Sequence, residues 1–372
     1  MINNKKKIAF LITGLNTGGA EIQLYRVITN LNLVKFKSIV ISITDKGELG
    51  QKFIDNNIPV YVLGVKKNIS VIFAAIRLYY LLKNEKPDIL HMHMYHAYVF
   101  GRIVGRLAKV PIMISTIHAM RFGYLREKIS KYTEKLSNVT TVVSKIVAER
   151  LIKDKIVPKN KLIVIPNGID TDIYKHSLVI RDRKRKELNL KKNIFLWIAV
   201  GRLEKRKNYP NLLNAFSEVL KKNSDTILVI AGEGSLKDNC EKITKQLKIE
   251  KNVLFLGNRN DIPELLNAAD GYVMSSSNEA LPLVIQEAAT TSLPIVATDI
   301  AGLKEVVIDN KTGFLVKSND KISLSNGMLK LMKLDYEHRY KMGIAGCKYI
   351  KANYDIKNIV KKWQDLYNSF GK

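Results

Sequence analysis

Two glutamates, Glu279 and Glu287, flank the start of a predicted helix in the stretch SNEALPLVIQEAATTSLPIVATD, which runs from Ser277 to Asp299. Glu279 lies just before the helix, and Glu287 lies about two turns inside it. Pro282 suits the first helical turn, because its missing N–H is not needed there. Two carboxylates can perform acid–base hydrolysis, bind a metal ion or grip hydroxyl groups. The rest of the chain must decide among these three chemistries.

The predicted helix start between the two glutamates is also a potential anion site. The free N–H groups near Leu283 and Val284 belong to the first turn, where they attract negative charge. A diphosphate at this position would have a hydroxylated group on either side, within reach of the carboxylates, and a nucleotide-sugar has that shape. Two ordinary glutamates explain the spacing equally well, since the helix dipole favours Glu279 near a helix start.

A basic loop, GRLEKRKN, follows the predicted strand that ends in WIAV. Arg202 lies directly after the strand, and Lys207 lies five residues further on, just before a helix. A guanidinium fork and an ammonium group beside a helix N-terminus suit a diphosphate. We therefore predict that Arg202 and Lys207 bind a ligand, and we interpret Lys205 and Arg206 as solvated surface residues.

A glycine-containing turn, GLNTGGAE, joins the first predicted strand to the first helix. Gly18 and Gly19 would let the backbone approach a ligand closely, with helix N–H groups just beyond. The spacing matches neither the dinucleotide-binding GxGxxG motif nor a Walker loop. A tight strand-to-helix turn is therefore as good an interpretation as a phosphate site.

Histidines end two further predicted strands. His118 follows IMISTI and could donate a hydrogen bond to a phosphate or a sugar hydroxyl, or could be a satisfied residue of the strand end. In HMHMYH, His91 and His93 share one strand face, and His96 lies in the following loop. The nearby carboxylate, Asp88, lies at the opposite end of the strand, so we expect no zinc site here. His93, near the mouth of the expected cleft, is the better functional candidate.

The elements that must position these residues follow an alternating pattern. Apolar runs such as KIAFLIT, PDILHMHM and TILVIAG alternate with helical segments, which predicts βαβ units and parallel sheets. We predict an α/β fold of two doubly wound, Rossmann-like domains that face a cleft. The predicted segments are a first domain at 1–175, a charged linker at 176–192 that leads into a short helix, a second domain at 193–350 and a final helix at 351–372. Ligands of such sheets bind beyond the carboxyl ends of the strands.

Composition restricts the class of protein. The length of 372 residues suits two domains, and 46% hydrophobic with 26% charged residues is typical of globular proteins. The chain lacks an apolar run of about 18 residues, and its basic Lys5–Lys7 start lacks the features of a signal peptide, so we expect a cytoplasmic protein. Two cysteines indicate neither a disulfide framework nor a zinc site. The formal net charge of +27 attracts nucleic acid, an anionic membrane or a phosphorylated substrate.

Taken in their order along the chain, the motifs at the strand ends resemble those of the family 4 glycosyltransferases. This is a retaining group with the GT-B fold that is frequent in bacterial polysaccharide assembly. The resemblance covers essentially the whole chain. It rests on GGAE, PDILHMHM, STIH, VVSK, VIPNGID, AVGRLEKRKN, IAGEGSL, LFLGNRNDIPELLNAAD, the E-x7-E of Glu279 and Glu287, and PIVATDIAGLKEVV with GFLV.

The resemblance implies a role for each domain and for the residues that match the motifs. The second domain would bind the nucleotide-sugar, the first would bind the acceptor, and the final helix would cross back to the first domain. Glu287 would hold the ribose, Glu279 the donor sugar, and Arg259 would meet the base. The implied catalytic residues are His118, Arg202, Lys207 and Glu279. The implied donor-binding residues are Gly18, Gly19, Arg202, Lys207, Gly232, Asn258, Arg259, Glu279, Ala280, Leu281, Pro282, Leu283, Val284 and Glu287. The expected acceptor-side residues are His93, His96 and Arg121.

We expect catalysis without a metal ion or another cofactor. Fixed arginine, lysine and helix N–H groups can stabilise the charge that grows on a departing diphosphate. A DxD pair, Asp170 and Asp172, lies within the NGID stretch, where we expect a structural turn. The chain departs from the family at Ala280–Pro282, where glycines are usual, and at Thr290–Ser292. Both departures concern the choice of donor sugar.

The implied activity is the retaining transfer of a hexose or N-acetylhexosamine from a nucleotide-diphosphate sugar, for which we favour UDP, to a hydroxyl of a glycan. The acceptor would be polyprenyl-diphosphate-linked, as in lipopolysaccharide, O-antigen or capsule biosynthesis, at the inner face of the cytoplasmic membrane. In RFGYLREKISKYTEKL an apolar stripe is edged by lysines and arginines, which fits a helix lying on an anionic membrane. The alternative, which we favour, packs this stripe into the domain core. Its members are Leu125, Ile129, Tyr132 and Leu136.

Three other functions share some of these features. The positive charge permits nucleic-acid binding, but the chain shows no RRM, HTH or OB pattern, so we expect no nucleic-acid partner. A sugar-nucleotide epimerase has the same two-domain architecture, and isomerisation of a UDP-sugar without an acceptor would identify it. The residues implied for the donor site argue against a non-catalytic binding subunit.

Overall fold

The chain folds into two compact units, and the structure, a computed structural model, describes residues 5–66, 70–120 and 123–371. The first unit comprises Met1–Gly168 with Ile356–Lys372, and the second comprises Ile169–Asp355. The chain thus enters the second unit earlier than the predicted boundary at 175. Each unit contains one sheet of parallel strands with helices between them, which confirms the predicted α/β class.

The strands of the first unit form one seven-stranded parallel sheet. They are β1 (Lys6–Ile12), β2 (Phe36–Ser42), β3 (Val60–Val62), β4 (Ile89–His93), β5 (Ile112–Ile117), β6 (Val139–Val142) and β7 (Leu162–Val164). Their order across the sheet is β3-β2-β1-β4-β5-β6-β7. The direction of chain progress reverses between β1 and β4, and this switch point marks the ligand-binding edge of open α/β sheets.

Six helices connect these strands within the residues that the structure describes. They are α1 (Gly19–Thr29), α2 (Gly47–Asp55), α3 (Ser70–Glu85), α4 (Tyr95–Leu107), α5 (Tyr124–Glu134) and α6 (Lys145–Lys153). Helices α1 and α2 lead the chain from β1 towards the β3 edge, whereas α3, α4 and α5 lead it from β3 towards β6. Because parallel crossovers are right-handed, these two groups of helices cover opposite faces of the sheet.

Helix α5 directs polar side chains into the first unit. Arg102 on α4 is fully buried, and its guanidinium binds the Glu134 carboxylate and the Thr133 hydroxyl. A buried arginine requires a carboxylate and further hydrogen-bond acceptors, and these occupy the inward face of α5. The predicted packing of the apolar stripe into the core is therefore wrong. Of the stripe, the exposed members are Leu125, Ile129 and Tyr132, and the half-buried member is Leu136.

The second unit contains a six-stranded parallel sheet. Its strands are β8 (Phe195–Val200), β9 (Thr226–Ala231), β10 (Val253–Gly257), β11 (Gly271–Met274), β12 (Ile295–Thr298) and β13 (Gly313–Val316). Their order is β10-β9-β8-β11-β12-β13, so the switch point lies between β8 and β11. The loops that follow these two strands are therefore expected to hold a ligand.

Eight helices belong to the second unit. They are α7 (Leu178–Glu187), α8 (Tyr209–Leu220), α9 (Lys237–Leu247), α10 (Ile262–Ala268), α11 (Leu283–Thr290), α12 (Ala301–Lys304), α13 (Lys321–Lys333) and α14 (Tyr336–Tyr354). Within the parts of the chain that the structure describes, no helix combines the length and the apolar character needed to cross a membrane.

Helix α7 occupies most of the interval 176–192, for which the sequence predicts a linker. It packs against α10 instead of standing apart. Lys184 is buried and binds Asp261 at 2.8 Å, and the buried Arg185 binds Asp270 at 3.1 Å. The short helix expected in this interval is present, but the charges that look solvated in the sequence are neutralised by acidic residues far along the chain.

The last helix, α15 (Ile356–Ser369), belongs to the first unit. Its side chains Ile359, Trp363 and Leu366 are buried in the same core as Phe10 of β1 and Leu24 of α1. This confirms the amphipathic pattern that the sequence predicts for the final helix. The hydrophobic stripe of α15 thereby closes the side of the sheet on which α1 lies.

Candidate functional site

Two strand-end loops meet at the switch point of the second unit. Residues 201–208 follow β8 and residues 275–282 follow β11, and these two strands are paired neighbours. The Ser275 hydroxyl donates to the backbone carbonyl oxygens of Lys207 and Asn208, at 2.9 and 3.0 Å. These hydrogen bonds hold the basic loop against the loop that carries the first glutamate.

Lys207 and Glu279 form a buried ion pair where the two loops meet. The Lys207 Nζ lies 2.7 Å from the Glu279 Oε1, and both side chains are buried. The Ser276 hydroxyl donates to the same carboxylate oxygen at 3.0 Å. On the other side of the carboxylate, the Arg206 Nη1 lies 3.1 Å from Oε2. Two predicted site residues are thus in direct contact, and Glu279 joins two cations.

Arg206 is a member of this cluster that the sequence interpretation missed. The residues Lys205–Lys207 form a 3₁₀ turn, in which successive side chains point about 120° apart. Lys205 therefore remains exposed, whereas Arg206 reaches the Glu279 carboxylate. Arg206 lies at the surface, as the sequence interpretation has it, but its contact with Glu279 was not predicted. The signal in the sequence was its position directly before Lys207 at a strand end.

Arg202 lies at the exposed rim of the same loop. Its Nη1 is 3.5 Å from Glu204 Oε1, and the other oxygen of Glu204 is 3.2 Å from Arg206 Nε. Glu204 therefore holds the two guanidinium groups on one side of the loop. The Arg202 side chain is about half-exposed, so a ligand can reach it.

Close packing of glycines sets the position of both loops. A Cβ atom on Gly302 of α12 would lie 2.3 Å from the Ala280 carbonyl oxygen and 2.4 Å from that of Glu279. Only a glycine at position 302 lets α12 pack this closely on the backbone of Glu279 and Ala280. The sequence motif that contains Gly302 gave no reason to assign this residue a role. Gly232, a predicted donor-binding residue, has φ 144°, and a Cβ there would lie 2.2 Å from the Gly201 carbonyl oxygen. Its observed contact is with the backbone of the basic loop.

Helix α11 begins next to this cluster. Pro282, predicted in the first helical turn, lies one residue before it in an extended conformation and supplies no side-chain cap. Leu283 and Val284 are the first two helical residues, so their N–H groups belong to the orphan donors of the helix start. Ala280 and Leu281, which directly follow Glu279, are buried, and their part in donor binding remains a prediction.

Glu287 is buried inside α11. Burial raises the pKa of Tyr272 on β11, and the nearby Tyr209, Glu287 and Glu279 raise it further. Glu279 precedes the helix and Glu287 lies within it. This agrees with the predicted arrangement of two carboxylates around a helix start, whereas their ligands remain predictions.

Asn258 and Arg259 lie to one side of the cluster, because β9 separates β10 from β8. The Arg259 guanidinium donates to both carboxylate oxygens of Asp261, at 2.7 and 2.6 Å. Hydrogen bonding to Asp261 also raises the pKa of Arg259. The structure thus gives Arg259 a structural partner, and its contact with a nucleotide base stays a prediction.

Two histidines are in contact at the carboxyl ends of β4 and β5 in the first unit. His93 Nδ1 lies 3.1 Å from His118 Nε2. Burial lowers the pKa of both rings, that of His118 to about 4, so both are neutral at pH 7. One nitrogen must therefore donate and the other accept. Because His93 is buried, its influence on a ligand at this strand end would be indirect, through its hydrogen bond to His118.

A small cavity lies beside this histidine pair. It is lined by Gln23, His93, His118 and Asn167 among others. Within the described ranges, His93 Nε2 and Gln23 Nε2 are buried and have no hydrogen-bond partner. Met94, directly after His93, has φ 73°, a strained conformation for a residue with a side chain that occurs preferentially at functional sites. The first unit therefore has polar groups positioned beside His118.

His91 has a structural role. Its Nδ1 lies 2.9 Å from the Tyr367 hydroxyl of α15, and its Nε2 lies 2.7 Å from the Thr116 hydroxyl. The Asp170 carboxylate accepts the Asp172 N–H at 2.9 Å, which is the expected turn. Within residues 5–66, 70–120 and 123–371, no three His, Cys, Asp or Glu side chains are grouped as metal ligands. Independence of metal remains a prediction.

The remaining predicted residues lie at helix starts of the first unit. Gly18 precedes α1 without a side-chain cap, and Gly19 is its exposed first residue. His96, expected in a loop, is the second residue of α4 and is exposed. The loop prediction is wrong because the helix starts directly after Met94. Arg121 lies outside the residues that the structure describes.

The lowered pKa of His118 predicts a dependence of stability on pH. Between pH 6.5 and about 4 the folded protein keeps His118 neutral, whereas the unfolded chain binds a proton. The free energy of unfolding should therefore fall as the pH drops through this range, and the contribution of one histidine is about 1.4 kcal/mol per pH unit. We expect His118→Gln to reduce the slope of chemical-denaturation free energy against pH by this amount. Measurements at pH 8 give the pH-independent cost of the substitution, and an unchanged slope would contradict the prediction.

Comparison with known families accounts for nearly the whole chain. A family described as "Glycosyl transferases group 1" matches residues 180–349, and "Glycosyltransferase Family 4" matches residues 17–173. An Escherichia coli protein named UDP-Gal:alpha-D-GlcNAc-diphosphoundecaprenol alpha-1,3-galactosyltransferase is 34% identical over 279 residues, 71% of this chain and 72% of that protein.

Two further similarities extend over more of the chain. A Staphylococcus aureus protein named capsular polysaccharide biosynthesis glycosyltransferase CapM is 22% identical over 92% of this chain and 93% of its own length. The crystal structure of Anabaena HepE in complex with UDP and glucose covers 98% of this chain and 100% of its own, with a TM-score of 0.89 at 21% identity. At that identity the match establishes the shared fold.

Proposed function

We propose that this chain, which belongs to glycosyltransferase family 4 and has the GT-B fold, moves a hexose or N-acetylhexosamine from a UDP-sugar to a glycan hydroxyl with retention of configuration. Membership of the family makes it a hexosyltransferase. The proposal concerns the donor, the acceptor, the stereochemistry and the residues that act.

One observation carries the site assignment. Lys207, Arg206 and Glu279 form a single cluster at the switch point of the second unit. The orphan N–H groups at the start of α11 lie four to five residues beyond Glu279. Cations beside a helix start suit a diphosphate, and the carboxylates on either side suit hydroxylated groups. A nucleotide-sugar combines these features.

The proposed donor is a UDP-sugar. The name of the Escherichia coli relative specifies UDP-galactose, and Anabaena HepE has been crystallised with UDP and with UDP-glucose. Ala280–Pro282 lie where family members usually have glycines and beside the residue proposed to hold the sugar. This segment is therefore the proposed determinant of which sugar is transferred.

The proposed acceptor is a polyprenyl-diphosphate-linked glycan used in cell-surface polysaccharide biosynthesis, as in O-antigen or capsule assembly. The Escherichia coli relative is named for a diphosphoundecaprenol acceptor and the Staphylococcus aureus relative for capsular polysaccharide. Such an acceptor is anchored in a bilayer. We therefore place the protein on the inner, anionic face of the cytoplasmic membrane, to which its net charge of +27 would be attracted.

The cluster can stabilise a leaving diphosphate without a metal ion. The Lys207 ammonium has three N–H donors, of which Glu279 uses one. The others can bind the diphosphate, where negative charge grows as the bond to the sugar breaks. Glu279 keeps Lys207 in place beforehand, so little reorganisation is needed during the reaction. Arg202 at the rim would add a second cation.

Retention is proposed to result from attack of the acceptor hydroxyl on the face that the diphosphate leaves, with a phosphate oxygen receiving the hydroxyl proton. Lys207, Arg206 and Ser276 each contact the Glu279 carboxylate. The proposed scheme uses no covalent intermediate. Neutral His118 would donate a hydrogen bond to the reacting sugar, and His93 would fix which nitrogen of His118 carries the proton.

A nucleotide-sugar screen tests the donor assignment. We expect UDP-sugars, more than GDP- or ADP-sugars, to raise the unfolding temperature, since a ligand at about 100 times its Kd adds about 2.7 kcal/mol of stability. Isomerisation of the UDP-sugar without an acceptor would instead identify an epimerase. If none of the nucleotide-sugars stabilises the protein, the proposed donor site is wrong.

Arg206 provides a test of the cluster at a residue to which the family resemblance assigns no role. We expect Arg206→Ala to lower kcat/KM for transfer by about tenfold, because a half-exposed charge-assisted contact to Glu279 is lost and the carboxylate becomes less constrained. Lys205→Ala is the matched control, since it removes a neighbouring exposed cation from the same turn. Equal effects of the two substitutions would show that only the net charge of the loop matters.

A further inference from the structure

Helix α3 has apolar side chains on both of its faces. Ala74, Leu78 and Leu82 form its buried stripe against the first unit. On the opposite side, Ile72 and Phe73 are 67% and 61% exposed. A helix that is apolar all round is normally covered on every side. The outward face of α3 is therefore expected to be covered by a binding partner.

Helix α5 has the reverse of the usual amphipathic arrangement. Its inward side chains are Ser130 and Glu134, which are buried with Arg102 of α4. Its outward side chains include Leu125, which is 67% exposed, and Tyr132. Burial of the arginine explains the polar inner face. It does not explain why Leu125 and Tyr132 are exposed among the lysines and arginines of the outward face.

The two helices belong to one continuous surface. Helix α4 packs against both α3 and α5 and exposes Leu107, whose exposed fraction is 64%. All three helices lie on the same side of the sheet, because their crossovers run in the same direction. We call this surface the α3–α5 face. Its apolar members include Ile72, Phe73, Ile76, Leu107, Leu125 and Tyr132.

The segment that carries the α3–α5 face is strongly basic, and its exposed cations include Arg77, Lys83, Arg106, Lys128 and Lys131. Between Lys66 and Lys135 the sequence has thirteen lysines and arginines and four acidic residues. Each acidic side chain is bound inside the first unit. The pairs are Glu85 with Lys7, Asp88 with the Lys7 N–H, Glu127 with Arg150, and Glu134 with Arg102. The exposed cations next to the apolar side chains therefore keep a net positive charge.

We propose that the α3–α5 face docks on an anionic lipid bilayer, into whose interfacial region α3 and α5 insert apolar side chains. This inference rests on the proposed function, which places the acceptor in a membrane, and it specifies the surface that meets the lipid. Two features bind a monotopic protein to anionic lipid: exposed apolar side chains, which enter the interface, and lysines and arginines, which are attracted to the headgroups. A second copy of the chain would set the same positive charges against each other, and nucleic acid would leave the apolar groups in water.

Vesicle sedimentation tests the apolar part of the proposal. We expect the full chain to co-sediment with vesicles of equal parts phosphatidylglycerol and phosphatidylcholine. Ile72→Glu with Ile76→Glu should lower the partition coefficient at least about tenfold, because two apolar side chains can no longer enter the interface. The matched control is Val179→Glu with Ile322→Glu, which changes two exposed apolar residues of the second unit. The control should bind as the unaltered protein does.

A second pair of variants tests the charge. Lys128→Glu with Lys131→Glu reverses two exposed charges one turn apart on α5, and Lys242→Glu with Lys245→Glu does the same on α9. Only the first pair should weaken binding to the anionic vesicles by about tenfold or more, and its effect should shrink at high salt. Equal losses in the two pairs would mean that net charge alone drives binding, which overturns the proposed face.

Two controls separate this proposal from the proposed function. Stabilisation by UDP and transfer to a water-soluble acceptor analogue should be the same in the α3 variant and in the unaltered protein. If the unaltered protein turns over a UDP-sugar but does not bind vesicles, the docking proposal is wrong and the function stands. If it binds vesicles but no nucleotide-sugar stabilises it, the function is wrong. A dimer in sedimentation velocity that Ile72→Glu dissociates would assign the face to self-association instead.

Discussion

Replacing Lys207 by alanine is expected to lower kcat for sugar transfer about 10²–10³-fold, the effect of removing one fixed donor from a developing negative charge. The ammonium group lies at the switch point and is held by Glu279 at 2.7 Å. On the proposed mechanism it would therefore meet the departing diphosphate without prior rearrangement. Rapid-quench or steady-state measurements of UDP release at saturating donor would give the change in kcat.

A structural explanation of the same loss has to be excluded, because Lys207 and Glu279 are a buried pair. If Lys207 only holds Glu279, then Glu279→Gln and the double variant should lose as much activity as Lys207→Ala and no more. If Lys207 acts on the diphosphate itself, its loss should also weaken the binding of UDP, and Lys207→Arg should restore part of both effects. The thermal midpoint of each variant checks that the second unit remains folded.

Replacing Glu287 by alanine is expected to raise the Kd for UDP about 100-fold, since two hydrogen bonds from ribose hydroxyls to a buried carboxylate are lost. Titration calorimetry with UDP measures this change directly. Glu337→Ala, which removes an exposed glutamate from α14, is the control for the change in net charge. It should bind UDP as the unaltered protein does.

A modified ligand makes the Glu287 prediction specific to the ribose. The unaltered protein should bind 2′,3′-dideoxyuridine diphosphate about as weakly as Glu287→Ala binds UDP, because either change removes the same contacts. The variant itself should no longer distinguish the two ligands. If it discriminates between them as strongly as the unaltered protein, then Glu287 does not contact the ribose hydroxyls.

The strand–helix alternation could be predicted because buried parallel strands are continuous apolar runs, which a sequence displays directly. The interior of α5 and the packing of α7 could not be predicted in this way. Both depend on charged side chains whose partners lie elsewhere in the chain: Arg102 meets Glu134, and Arg185 meets Asp270. A basic residue looks the same in the sequence whether it is solvated or buried with a distant carboxylate.

The candidate site was predictable to a similar degree. Strand ends on either side of a switch point must converge, so the proximity of Lys207 and Glu279 follows from topology. The participation of Arg206 does not, because it depends on the direction of one side chain in a 3₁₀ turn. Gly302 illustrates another limit, since its need for close backbone packing becomes visible only when α12 is placed on the glutamate loop.

Acceptor-dependent release of UDP tests the central claim most directly. The purified chain would be incubated with each of a panel of UDP-sugars, with and without a diphosphate-linked N-acetylhexosamine lipid, and the glycoside would be analysed by NMR. We predict that one UDP-sugar releases UDP only when the acceptor is present and that the new glycosidic bond keeps the donor's anomeric configuration. Inversion would contradict the proposed mechanism, and acceptor-independent isomerisation of the sugar would contradict the assignment as a transferase.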